Sequence, residues 1–474
     1  MSFSTTAGGE RFDFSSLAEV LGRANEEKSG DQLAGLAARS GRERIAAKAV
    51  LADLRVSDIV DDVLIDDEVT RAVQATLDRP RMDALVGSMS VGELRELVLQ
   101  PSFAIRWQAE RLHELITPEV AAAVAKLMSN LDLVVAAAPL RTVTTFRDTM
   151  GQPGVFGSRI QPNHPTDNLD GIAASVLDGI LMGSGDAMIG VNPANDSVQG
   201  TASILRLLRE VIDGLGLPTQ SCVLAHATTQ LMALEAGAPL DLLFQSVAGT
   251  EAANKTFGVN LALLREAHAA ATQSAAESVG ERPGTAGSPN VMYLETGQGS
   301  ALSAEAHAGI DQLTCEARAQ AVARLYDPFL VNSVVGFIGP EYLANGAQIT
   351  RAGLEDHFVG KLMGLPMGVD VCFTNHVDAD HNSNDGLLMQ LALAGCNFVM
   401  GLPGGDDVML SYQSTSFHDV AAVRALTGTR PAPEYEEWLI EKGLWGANGL
   451  RLVSDETATR ALSSDLRSVR ALVS

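Results

Sequence analysis

The sequence predicts an α/β fold: a closed (β/α)₈ barrel (TIM barrel) with a helical N-terminal domain in front and a short C-terminal extension behind. Three observations lead there. From about residue 153, short apolar runs alternate with helix-patterned segments, and this happens eight times. Each run ends in polar residues, often beside glycine or proline, as strands do when their tips open onto a binding mouth. Before residue 145 the pattern is helical only.

Residues 1–150 read as the helical domain. Ser16 and Glu19 are spaced as a capping box, with Leu17, Val20, Leu21 and Ala24 on one face behind them. Ser90 and Glu93 repeat that signature ahead of Leu94, Leu97 and Val98. Thr117, Pro118 and Glu119 supply an N-cap, a first-turn proline and a first-turn acid, followed by the stripe Val120, Val124, Leu127. No strand is expected in this part, whose role reads as scaffold and subunit contact.

Residues 151–428 read as the barrel. The eight runs fall at 155–163, 187–193, 221–230, 240–246, 291–297, 329–340, 369–376 and 396–405. Helical connectors lie between them, including one across 201–213 with Ile204, Leu207, Leu208 and Ile212 facing inward, and one across 316–324. Alternation of this length favours a barrel over an open sheet. The segment 277–289 is composed of turn residues and reads as a surface loop. The uncharged stretch 386–405 contains Gln390, Asn397, Gly395, Gly401 and Pro403, so it reads as a buried helix and strand, not a membrane span. Residues 429–474 hold a helix over 433–442 and a polar tail.

Composition narrows the function. A formal charge of −24, from 58 acidic and 34 basic residues, argues against nucleic acid or anionic membrane as a partner. It suits a cationic or neutral small substrate. The four cysteines (Cys222, Cys315, Cys372, Cys396) form no C-x-x-C pair and read as buried thiols of a reducing, cytoplasmic protein. The start of the chain carries Glu10, Arg11 and Asp13 and lacks the apolar core of a signal peptide.

In a barrel the polar strand ends converge on one mouth. They are Arg159 and Gln161, Asn192, His226, Gln245, Glu295, Asp370, and Asn375 with His376. Glu295 stands where the apolar run Val291–Leu294 breaks into a glycine-rich loop; it is a pocket carboxylate or a cap for the next helix. Asp370 interrupts the apolar run VDVCF, where a carboxylate is costly without a partner. Two acids beside one pocket need a cation between them, either Arg159 or a charged substrate. The run HVDADH offers His376, Asp378 and Asp380 to a divalent metal, and a metal-dependent barrel hydrolase or aldolase is the alternative reading it raises. Its acids equally fit a helix cap, no second His-x-His pair completes a site, and no metal is expected. The stretches GSGDAMIG and GLPGGDD lack the spacing of phosphate-binding loops.

The blocks GSRIQPN, GDAMIGVNP, LAHATTQ, LETGQGSALSA, VVGFIGPEYL, RAGLEDHF, TNHVDAD and MGLPGGDDVMLSYQSTSFHD, with NEEKSGDQLAGLAA near the start, resemble the large subunit of ethanolamine ammonia-lyase from about residue 10 to the low 450s. The resemblance implies a (β/α)₈ barrel and an adenosylcobalamin-dependent conversion of ethanolamine to acetaldehyde and ammonia. It implies substrate contacts at Arg159, Gln161, Asn192, Glu295 and Asp370, and cobalamin contacts at Pro193, Gln245, Ser303 and Met409, with Phe337 and Met400 as apolar walls. It further implies a separate cobalamin-binding small subunit, without which the chain is inactive, and association of large subunits in a larger hetero-oligomer. The location is cytoplasmic, with enclosure in a bacterial microcompartment left open. The 277–289 loop is longer than the resemblance leads one to expect, and the tail beyond the 450s differs. All five substrate positions are intact, which weighs against a scaffold or cargo protein that has lost catalysis.

Overall fold

The computed structural model describes residues 3–278, 289–446 and 460–467. The expectations for the middle of the 277–289 loop and for most of the tail fall outside these residues.

Eight parallel strands form the centre of the molecule: β1 (Gly157–Ile160), β2 (Met188–Val191), β3 (Ser221–Val223), β4 (Leu243–Ser246), β5 (Met292–Thr296), β6 (Leu330–Gly336), β7 (Met367–Thr374) and β8 (Phe398–Gly401). Each lies inside one of the eight apolar runs or overlaps it. The ladder runs β3-β2-β1-β8-β7-β6-β5-β4. Between β3 and β4, the Leu242 N–H donates to the Ser221 carbonyl at 3.2 Å, so the sheet closes on itself. A helix follows each strand: α1 (Leu169–Leu181), α2 (Val198–Leu215), α3 (Ala227–Glu235), α4 (Leu261–Ser278), α5 (Gln312–Arg324), α6 (Gly346–Leu362), α7 (His381–Leu393) and α8 (Phe417–Thr427). The fold is therefore a (β/α)₈ barrel. Its strands are apolar on both faces because side chains fill the inside and helices cover the outside. The rings of Phe244, Tyr293 and Phe398 meet at centroid distances of 5.9 and 6.2 Å. Since β5 and β8 are not neighbours in the sheet, that contact crosses the barrel interior and makes a packed floor.

Most expected helix signals are present before the barrel. Ser90 and Glu93 form a complete capping box, and Thr117 accepts from the Val120 N–H. At the first helix, Ser16 caps Glu19, but the Glu19 carboxylate takes the Ser15 N–H and hydroxyl instead of closing a box on Ser16. The expectation of no strand fails: Phe3–Ala7 and Glu10–Phe14 pair as an antiparallel hairpin. Its turn is Gly8-Gly9, both at positive φ, which glycine adopts without a Cβ clash. Buried ion pairs join this part to the barrel: Lys28–Glu355 at 2.8 Å, Lys126–Asp311 at 2.9 Å, and Arg318 to Asp67 and Glu119 at 3.0 and 2.8 Å. Behind the barrel, the helix Pro433–Glu441 docks through Tyr435, whose hydroxyl donates to the Ser184 carbonyl at 2.6 Å. All four cysteines are buried free thiols, and no helix among the described residues is long and apolar enough to cross a membrane.

Candidate active site

The barrel opens at the C-terminal ends of its strands onto a cavity of about 490 Å³. Gln161, Asn192, Gln245, Glu295, Phe337 and Asp370 all line it, as do His226 and Tyr412. Arg159 lies just beneath, 1% exposed, with its guanidinium bonded to Glu295.

Two polar groups of side chains meet there. In the first, Arg159 Nη1 donates to Glu295 Oε1 at 3.2 Å and to the Tyr293 hydroxyl at 2.9 Å, while Nη2 donates to the Gly190 carbonyl at 3.3 Å. Tyr293 donates in turn to Glu295 Oε1 at 2.8 Å, and Asn332, the cross-strand partner of Glu295, donates to the same oxygen at 3.1 Å. Oε1 thus accepts three bonds, and among the described residues Oε2 accepts none. Arg159 fits because Gly190 lacks a side chain: a Cβ there would come within 2.4 Å of Arg159 Nε. Burial works against the guanidinium charge, but Tyr293 and Glu295 hold Arg159 above its ordinary value.

In the second group, Gln161 Nε2 donates to Asp407 Oδ2 at 2.8 Å and to the Tyr412 oxygen at 2.7 Å. Tyr412 donates onward to Asp370 Oδ2 at 3.1 Å, and Ser414 donates to Asp370 Oδ1 at 2.5 Å. With the Gln161 amino group engaged twice, its carbonyl is left to face the cavity. Asn192 is held by Asn163, which accepts from its backbone N–H at 2.7 Å and bonds Asp407 at 2.6 Å. Tyr412, Ser414 and Asp407 come from the segment after β8. There Asp406–Asp407 and Tyr412–Gln413 pair, and Tyr412–Gln413 also extends the end of β7.

Burial pushes Asp370 up, to about 6; Ser414 opposes this, the charge of Glu295 adds to it, and Arg159 and Tyr412 oppose it. The sign follows directly. The folded value exceeds the usual carboxylate value of about 3.9, so this group favours folding below that pH. The contribution is lost as pH rises to about 6. Above that, ionised Asp370 costs the fold about 2–3 kcal/mol. Asp370→Asn is expected to raise Tm at neutral pH while weakening the binding of any cationic ligand. Thermal melts with and without ligand check this, and a lower Tm for the variant counts against it.

The remaining expected residues spread around the mouth. Gln245 accepts the Ala227 N–H at 2.9 Å at the start of α3. Phe337, 40% exposed, stands edge-on to Tyr412 with centroids 5.7 Å apart. Pro193, Ser303 and Met409 are not among the lining residues; Pro193 and Met409 stand on the loops after β2 and β8, and Ser303 ends the short helix Ser300–Ser303 after β5. Met400 is in the buried core under the site, not on its wall. Asn375 and His376 are exposed and away from the lining. Asp380 caps α7 by accepting the Ser383 N–H at 2.9 Å. No three His, Cys, Asp or Glu side chains cluster as a metal requires among the described residues. The Glu295 carboxylate turns into the barrel mouth, so it caps no helix.

Sequence reading missed Tyr293, Asn332, Asp407, Tyr412 and Ser414 as members of the site. Tyr293 and Asn332 left a usable signal, since each is a polar group within a run apolar enough to be buried, and buried polar groups need partners.

The family model described as ethanolamine ammonia lyase large subunit (EutB) matches residues 12–453. The ethanolamine ammonia-lyase large subunit of Escherichia coli strain K12 is 49% identical over 452 residues, covering 95% of this chain and 97% of that protein. Its counterpart in Salmonella typhimurium is 48% identical with the same coverage. Among solved structures, the HydG maturase of the FeFe-hydrogenase aligns with a TM-score of 0.42 at 10% identity, over 86% of this chain and 97% of its own, too loosely to inform fold or function. The chain belongs to the family of ethanolamine ammonia-lyase large subunits.

Proposed function

We propose that this chain is the catalytic large subunit of an adenosylcobalamin-dependent lyase that converts ethanolamine to acetaldehyde and ammonia. The carrying observation is that Arg159, Gln161, Asn192, Glu295 and Asp370, from strands far apart in sequence, meet at one small chamber. Ethanolamine is an ammonium two carbons from a hydroxyl. Glu295 Oε2, the Asp370 carboxylate and the Gln161 carbonyl are acceptors for the ammonium. Arg159 and the Asn192 amide are donors to the hydroxyl. Each charge-assisted bond contributes about 1.5–3 kcal/mol, enough in combination to hold so small a molecule.

The rim fits a large flat cofactor. Val334, Phe337, Ile338 and Leu410 make its wall apolar, while Gln245 adds an amide. Pro193, Ser303 and Met409 stand on the strand-to-helix connections of the same barrel end. When bound, adenosylcobalamin supplies the adenosyl radical by homolysis of its cobalt–carbon bond. This chain's residues orient the substrate, keep water and other hydrogen donors away, and polarise the hydroxyl through Arg159 as the amine migrates or leaves. In the same reading, residues 1–150 are scaffold, 151–428 the catalytic barrel and 429–474 an extension. A small subunit completes the cobalamin site, and large subunits associate with one another in the cytoplasm, free or within a microcompartment.

The test adds adenosylcobalamin and ethanolamine to the purified chain, with and without a candidate small subunit, and assays acetaldehyde and ammonia. Both products are expected only with both subunits and the cofactor. Their absence from every combination overturns the reading.

A further inference from the structure

Behind Glu295, between β5, β6, α5 and α6, lie two buried carboxyl groups that touch no substrate position, Glu316 and Asp356. Glu316 accepts the Thr296 hydroxyl and, at 3.2 Å, Gln320 Nε2. Asp356 accepts Gln298 Nε2 at Oδ1 and the Ser333 hydroxyl at Oδ2, both at 2.7 Å. The two acids therefore grip Thr296 and Gln298, just after Glu295, and Ser333, just after Asn332. Thr296 and Ser333 are themselves cross-strand partners, one step beyond the Glu295–Asn332 pair.

Gln320 ties the two acids into one layer, since its Nε2 bonds Glu316 and also donates to the Asp356 backbone carbonyl at 3.0 Å. The charges facing this layer decide their state. The cations Lys28, from the N-terminal segment, and Arg351, from α6, are both paired with Glu355, at 2.8 and 2.7 Å. Burial opposes the charge of Glu355, but Arg351 and Lys28 hold it down to about 2, so it is one more negative charge beside Asp356. On the barrel side the next ionised group is Glu295, whose cation is Arg159. Among the described residues no cation is left for Glu316 and Asp356, and two bare carboxylates there would repel.

We propose that Glu316 and Asp356 hold one proton between them, and that this acid–carboxylate pair positions Glu295 and Asn332 at the tips of β5 and β6. Both are positioning residues, and the proposal rests on the lyase reading for its kinetic consequence only. Burial pushes Glu316 up, to about 7, and burial with the charge of Glu316 pushes Asp356 well above the carboxylate range. Loss of the shared proton in alkali sets the two charges against each other and loosens the strand ends that carry the site.

Glu316→Gln and Asp356→Asn imitate the protonated state: each amide is uncharged, keeps one acceptor oxygen and puts an N–H donor where the neutral acid carries its O–H. In the reconstituted two-subunit enzyme, each variant is expected to keep kcat at neutral pH within about threefold of the wild type. The wild type is expected to lose kcat as pH rises into the alkaline range, and each variant is expected to show a smaller loss. A second readout does not need activity. A raised folded-state value gives the wild type stability that is present below the unfolded carboxylate value of about 4.3 and lost as pH rises through the folded value. The Tm of Glu316→Gln relative to wild type should therefore climb from about pH 5 to about pH 9. A merely structural role gives a Tm offset that is the same at every pH. That flat offset, or an alkaline limb unchanged in both variants, overturns the proposal. Should the wild type fail to deaminate ethanolamine, the lyase reading falls and the melts still decide the pair.

Discussion

Replacing Arg159 with lysine is expected to lower kcat/KM for ethanolamine by about 10²–10³, although the positive charge is kept. The guanidinium performs three tasks from one plane, bonding Glu295, Tyr293 and the Gly190 carbonyl. An ammonium on a flexible stem cannot serve all three together. Losing one or two charge-assisted bonds removes about 1.5–3 kcal/mol each, and each 1.4 kcal/mol is about tenfold in rate. Arg159→Leu is expected to do worse and to lower stability as well, by about 3–5 kcal/mol, because it leaves Glu295 without its cation at a site that is nearly closed to water. Steady-state kinetics of the reconstituted enzyme, with melts of both variants, make the check. A lysine variant within threefold of the wild type would remove the guanidinium from the site chemistry.

The barrel was legible in the sequence because each of its strands carries its own local mark. Runs such as VMYLE and VDVCF are short, apolar on both faces and polar at one end, so their number and order could be read without any long-range contact. The polar tips then identified Gln161, Asn192, Glu295 and Asp370 as neighbours before the structure placed them around one cavity. The hairpin 3–14 was missed for a different reason. Its strands are mostly solvent-facing, with only Phe3 and Phe14 buried, so the alternation was masked, although Gly8-Gly9 was a fair turn signal.

Tyr412, Ser414 and Asp407 were out of reach of any local pattern. The strands that carry or flank them are two residues long and exist only because they pair with one another and with the end of β7. Nothing in LSYQS announces that pairing. Yet the segment fixes the second half of the site, since Gln161 is oriented by Asp407 and Tyr412, and Asp370 by Tyr412 and Ser414. The residues that touch substrate in the proposed reading were thus readable from strand ends, and those that orient them were not. Pro193, Ser303 and Met409 belong to a third class, on the connections around a mouth whose proposed occupant is larger than the chamber below it.

Replacing Glu295 with glutamine should be the most damaging change that leaves the side chain's shape intact. Oε1 accepts from Arg159, Tyr293 and Asn332, while Oε2 is left to accept the substrate ammonium. An amide has one oxygen and one NH₂. If the oxygen stays on the Arg159 side, the NH₂ meets the ammonium, donor against donor. If the amide flips, the NH₂ meets Arg159 Nη1 and Asn332 Nδ2 instead, and the first polar group comes apart. Either orientation loses at least one charge-assisted bond and leaves donors unpaired. KM for ethanolamine should therefore rise and kcat fall, with kcat/KM down by about 10²-fold or more. Glu295→Asp keeps the charge but draws it back by one methylene, away from Arg159 or from the substrate, and should fall between the two. Equilibrium binding of ethanolamine, together with kcat and KM for both variants, separates the two tasks of the carboxylate. Wild-type kinetics in Glu295→Gln would show that neither the ammonium contact nor the Arg159 contact bears on turnover.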